Sequence, residues 1–103
     1  MDCYIYQAEL VCEDCGKRIR HALTIAGEAP TDPDEERSYD SDKFPKGPYA
    51  NGGGEADSPQ CCGSCGVFLE NPLTTDGEDY VREARKSDRL PVSWKERYAY
   101  LWQ

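Results

Sequence analysis

The sequence predicts an α+β fold: a small zinc-stabilised domain with a short β element and two to three helices. Three observations carry that prediction. The N-terminus alternates like a strand, segments of helical spacing flank a long polar middle, and two Cys-x-x-Cys-Gly turns stand at 12–16 and 62–66. The 103 residues suit one domain, 1–103, but only 38% of them are hydrophobic and 31% are charged. A chain that small and that polar buries little surface and needs a cross-link.

Within residues 3–11, Tyr4, Tyr6, Ala8 and Leu10 fall on one face and Ile5, Gln7, Glu9 and Val11 on the other. This period of two, rich in β-formers, predicts one strand running into Cys12. Ile19, Ala22, Leu23 and Ala26 then recur at helical spacing and Gly27 follows them, which predicts a helix over 17–26.

Residues 28–60 have no sustained period and hold five of the seven prolines together with Gly52-Gly53-Gly54. They read as a long acidic, Gly/Pro-rich loop inserted between the two cysteine turns, with one helical turn at Asp32-Pro33-Asp34-Glu35. Tyr39, Phe44 and Tyr49 are spaced to pack it onto the domain at a few points.

Beyond the second cysteine turn, Val67-Phe68-Leu69 predicts a short strand. Thr75-x-x-Glu78 has the form of a capping box ahead of a helix over 76–87. Ser93-x-x-Glu96 has the same form ahead of a final helix carrying Trp94, Tyr98, Leu101 and Trp102.

The N-terminus lacks the basic and apolar regions of a signal peptide, and no stretch reaches the ~20 apolar residues of a membrane span. The expected compartment is the cytoplasm, where thiols stay reduced and paired cysteines favour metal or redox chemistry over disulfides. Cys12, Cys15, Cys62 and Cys65 are the expected ligands of one structural Zn²⁺, since four thiolates satisfy a zinc tetrahedron and leave no open position. The same ligand set accepts iron, the less favoured metal. Cys61 is the alternative ligand, in a Cys-x-x-x-Cys pair with Cys65, and Cys62 is preferred because it repeats the first pair's spacing. Cys3 reads as a small buried apolar residue and His21, the single histidine, as a surface side chain. No arrangement for hydrolysis or phosphate binding is present, so the chain reads as a non-enzyme.

Charge is segregated. Residues 1–79 hold 6 basic and 17 acidic side chains, residues 80–103 hold 6 and 3, and the net charge is −8. Such a surface disfavours direct binding to nucleic-acid backbones. The acids Asp34, Glu35 and Glu36, and the aromatics Trp94, Tyr98 and Trp102, are the candidate contacts for a protein partner. For the aromatics docking onto the core, and for the acids a solvated loop, are the favoured readings. Two other functional readings stay open: an acidic mimic of nucleic acid that blocks a host enzyme, and a rubredoxin-like or Cys-x-x-Cys redox protein.

The paired turns Cys12-Glu13-Asp14-Cys15-Gly16 and Cys62-Gly63-Ser64-Cys65-Gly66 resemble the knuckles of zinc ribbons and rubredoxin-like domains. The 46 residues between Cys15 and Cys62 exceed the spacing of compact ribbons. The stretch from Gly47-Pro48-Tyr49-Ala50-Asn51-Gly52 through Cys62-Gly63-Ser64-Cys65-Gly66 to Pro72-Leu73-Thr74 resembles a small uncharacterised protein family of bacteriophages and prophages. That resemblance implies a phage origin and a metal site but brings no activity; at position 61 the family form carries histidine where this chain has Cys61.

Overall fold

In the computed structural model, which describes residues 1–102, the N-terminal alternating segment is folded back on itself. Cys3–Tyr6 (β1) and Glu9–Cys12 (β2) pair antiparallel, with Cys3 opposite Cys12 and Tyr6 opposite Glu9. The predicted single strand is therefore a hairpin. Its two-residue turn, Gln7 and Ala8, takes positive φ at both positions, a turn usually advertised by Asn or Gly. The Gln7 N–H donates to the Ser41 carbonyl at 3.1 Å, a tertiary bond that helps hold the turn.

Lys46–Tyr49 (β3), inside the segment predicted to be loop, adds to the free edge of β1 and completes a three-stranded sheet of order β2-β1-β3. Pro48 is tolerated there because β3 is an edge strand. The rest of that segment is anchored by Arg20. Its guanidinium lies 4.7 Å from the Tyr4 ring centre and 5.1 Å from that of Phe44. It donates to the Pro45 carbonyl at 2.9 Å and the Tyr39 hydroxyl at 3.0 Å. Phe44 is buried and Tyr39 meets it edge-on. The stretch carries a 3₁₀ turn at Glu36–Ser38, just beyond the predicted helical turn, and a second at Asn51–Gly53, which was not predicted.

Glu13–Ile25 (α1) begins directly at the end of β2, four residues ahead of the predicted start. Cys12 is its N-cap, and Glu13 and Asp14 place their charges on the first turn, where the helix dipole favours them. It ends as the glycine predicted: Gly27 has φ 77°, its N–H donates to the Thr24 carbonyl, and the Glu28 N–H donates to that of Leu23. Gly16, by contrast, has helical φ and serves close packing. A Cβ there would overlap the Tyr4 ring. Gly16→Ala is therefore expected to displace the Tyr4 ring and cost about 1–3 kcal/mol, read as a lowered Tm.

Thr75–Lys86 (α2) and Val92–Arg97 (α3) follow the second cysteine turn, and Ala99–Trp102 continues as a 3₁₀ turn. The cap of α2 is Thr74, whose hydroxyl accepts from the Gly77 N–H at 3.1 Å, one residue before the predicted Thr75. Pro91 occupies the cap position of α3 without a side-chain bond, so the Ser93-x-x-Glu96 box is not formed. Val67-Phe68-Leu69 is not a strand; a single bridge joins Phe68 to Cys61.

Two cores result, in a molecule of 50 × 22 × 18 Å. The first holds Cys3, Tyr4, Val11, Cys12, Cys15, Cys62 and Leu69. The second holds Leu73, Val81, Leu90 and Tyr98, with Phe68, Trp94, Leu101 and Trp102 packed against it. Between Leu69 and Leu73 in the chain lies Asn71, fully buried. Its Oδ1 accepts from the Gln60 N–H at 2.7 Å, its Nδ2 donates to the carbonyls of Ser58 and Pro72, and its own carbonyl accepts from the Tyr98 hydroxyl at 2.6 Å. Among the described residues no helix is long and apolar enough to cross a membrane.

Candidate metal centre

The two cysteine pairs converge although they use different local structures. The first sits where β2 becomes α1. Cys12 Sγ accepts from the Cys15 N–H at 3.5 Å, so the helix start both caps the thiol and directs Cys15 toward it. The second is a knuckle: Cys62 Sγ accepts from the N–H groups of Ser64 (3.3 Å) and Cys65 (3.4 Å). The Gly66 N–H closes the turn on the Cys62 carbonyl at 2.9 Å, and the positive φ this requires, 81°, explains glycine at that position. The Gly63 N–H donates to the Leu10 carbonyl at 2.8 Å, which hangs the knuckle on β2 and brings the pairs together.

The Sγ atoms of Cys12, Cys15, Cys62 and Cys65 all lie within 4.8 Å of one another, and Cys12 and Cys65 are 3.7 Å apart. A tetrahedron with metal–sulfur bonds of about 2.3 Å has edges of about 3.8 Å. The cluster therefore fits one tetrahedral ion, and its soft sulfur donors select against calcium and magnesium. All six cysteines are free thiols. Three of the four ligands are buried and Cys65 is exposed, so the centre lies at the edge of the first core.

Electrostatics within the cluster are uneven. Burial pushes the Cys12 thiol up to about 12. Burial acts in the same direction on Cys62, but the peptide N–H groups of Cys12, Cys65 and Ser64 together outweigh it and hold that thiol down at about 6. Arg18, one turn on from Cys15, donates from Nη2 to Cys15 Sγ at 3.4 Å and offsets part of the charge that four thiolates carry. Sequence reading missed Arg18; its spacing of three from Cys15 on one helix was the available signal.

Metal binding must displace protons from the thiols, so acid opposes it. A bound ion competes with protons for each sulfur and holds the thiolates ionised below the range of the free thiols. Bound metal is expected to be retained at neutral pH and released in acid. Loss of the thiolate-to-cobalt charge-transfer band in the cobalt-substituted protein measures it; a band that persists unchanged in strong acid contradicts it.

The other predicted residues are placed as follows. Cys61 is exposed and lies outside the cluster of four sulfurs. Cys3 is buried in the first core, and His21 is exposed. Asp34, Glu35 and Glu36 are exposed, and Glu36 Oε1 accepts from the Tyr49 hydroxyl at 3.0 Å. Trp94 and Trp102 are half-buried against the second core, whereas Tyr98 is fully buried and offers no surface to a partner.

No family model, curated protein or solved structure matches the chain. Its class is defined by its own geometry: a small α+β protein with a four-cysteine centre built to hold a metal ion.

Proposed function

We propose that the chain carries one structural Zn²⁺ and acts, without catalysis of its own, as a protein–protein interaction module: a phage accessory protein that engages a host factor in the host cytoplasm. The observation that carries this reading is the closed set of four convergent thiols, in which every tetrahedral position is taken by protein. Such an ion ties the β2–α1 junction to a turn that 46 intervening residues separate from Cys15, and leaves no position for substrate. The surface supports the second half of the reading. Exposed acids on the segment 32–42 offer charged contacts to a partner, and exposed Ile25, Tyr80, Val92 and Tyr100 offer apolar ones. The phage assignment rests on the resemblance of residues 47–74.

Elemental analysis of protein purified without added metal tests the first half, with about one zinc per chain and a colourless solution expected. Stoichiometric iron would move the protein to the rubredoxin-like reading. Capture of a host protein by the tagged chain tests the second half. A partner that free nucleic acid displaces from the chain would favour the acidic mimic, because mimic and nucleic acid compete for one site.

A further inference from the structure

On this acidic molecule one groove has the opposite sign. It runs between the C-terminal half of α2 and the Ala99–Trp102 turn, encloses about 560 Å³, and among the described residues is lined by the cations Arg82, Arg85, Lys86 and Lys95 and the acid Asp88. Its apolar floor is Leu101 and Trp102. We infer that this groove binds an acidic segment of a partner protein, taking its carboxylates on Arg82, Lys86 and Lys95 and an apolar side chain on Leu101 and Trp102.

Three observations lead there. The cations are available: among the described residues Arg82 and Lys86 pair with Asp79 and Glu83 of their own helix, each at 3.3 Å and with both side chains exposed. Exposed pairs of that kind are worth little and exchange readily for a partner's carboxylates. Arg85 is committed differently, with its guanidinium 4.7 Å from the Trp102 ring centre. That contact stiffens the floor and covers an indole face on which a nucleic-acid base would otherwise stack. The net charge of −8 finally sets the size of the occupant. A long polyanion would meet repulsion from the rest of the molecule, whereas a short acidic stretch confined to the groove would not. The groove's sign thus selects carboxylates, and its floor selects a peptide that also carries an apolar anchor.

The inference supplies a contact site for the interaction-module reading and rests on it for its biological meaning. Its test uses the zinc-loaded full chain and a fluorescein-labelled peptide, Glu-Glu-Leu-Glu-Glu-Phe-Glu-Glu, followed by fluorescence anisotropy at low salt. Saturable binding is expected, weakened by added salt and reduced about tenfold or more in the double variant Lys86→Glu, Lys95→Glu, which alters only exposed side chains. Amide shifts in the zinc-loaded protein should fall on Arg82–Asp88 and Trp102 and spare Cys12–Gly16. Absence of saturable binding, equal binding by the double variant, shifts centred elsewhere, or tighter binding of a single-stranded oligonucleotide of equal charge would each overturn it. The two readings fail separately. A host partner held equally by wild type and double variant removes the groove and leaves the module; peptide binding in the groove with no host partner does the reverse.

Discussion

Cys62→Ser is expected to abolish tight metal binding and to unfold the first core with it. A serine hydroxyl does not ionise in this range and makes a poor partner for a soft-ligand ion, so the tetrahedron is left with three thiolates. The consequence for stability is large because the metal centre is itself much of the core. Of the seven buried residues there, Cys12, Cys15 and Cys62 are ligands, leaving Cys3, Tyr4, Val11 and Leu69 as the apolar content. Those four cannot offset the conformational entropy of ordering the hairpin, α1 and the knuckle. Structural zinc contributes on the order of 10–16 kcal/mol in small zinc peptides, as much as or more than the ~5–15 kcal/mol total stability of an ordinary domain. Thermal melting followed by circular dichroism should therefore lose the part of its transition that belongs to the sheet and α1, both in Cys62→Ser and in wild type treated with a strong chelator. Cys61→Ser, which alters an exposed thiol outside the cluster, should melt like wild type. A chelated protein with an unchanged melt would show that the ion is a passenger.

Cysteine spacing was legible in the sequence because two turns of one form, each with a following glycine, have few other uses in a reduced compartment. What the spacing could not show is that the turns differ: Gly66 answers to positive φ, while Gly16 answers to the nearness of Tyr4. The hairpin was hidden for a related reason. Gln7 and Ala8 carry no turn chemistry, and a hairpin whose strands both alternate looks like one longer strand. β3 was invisible because a Lys-Gly-Pro-Tyr segment has poor strand propensity. It is a strand because β1 has a free edge and Arg20 binds the carbonyls of Pro45 and Gly47 beside it. Helix existence was read correctly for all three helices, and so was the glycine that ends α1, but the N-caps of α2 and α3 were not. Thr74 and Thr75 are equally good caps by composition, so composition alone does not choose between them, and the bond from the Gly77 N–H goes to Thr74. Asn71 had no local signal at all, since every partner it bonds except Pro72 is distant in the chain.

Tyr98→Ala is expected to melt the second core while the metal stays bound. Tyr98 has no exposed surface, meets Phe68 edge-on at 5.9 Å, and donates its hydroxyl to the Asn71 carbonyl. Truncating a buried aromatic costs about 3–5 kcal/mol. Tyr98→Phe separates the two contributions. It keeps the ring and leaves the Asn71 carbonyl without its donor, for a cost of about 1–3 kcal/mol. The same bond sets an alkaline limit. Burial raises the Tyr98 phenol to about 12 from its ordinary value near 10, so its stabilisation is complete below about pH 10 and is lost as pH rises toward 12. Tyr98→Phe should lack that alkaline loss. None of these changes touches a sulfur ligand, and the knuckle is held to β2 through Gly63 and Leu10, away from α3. In cobalt-substituted Tyr98→Ala the charge-transfer band should therefore survive at temperatures where the helical signal of α2 and α3 has gone. If band and helix signal disappear together, Asn71 couples the two cores into one cooperative unit, and the division at residues 69–73 is structural only.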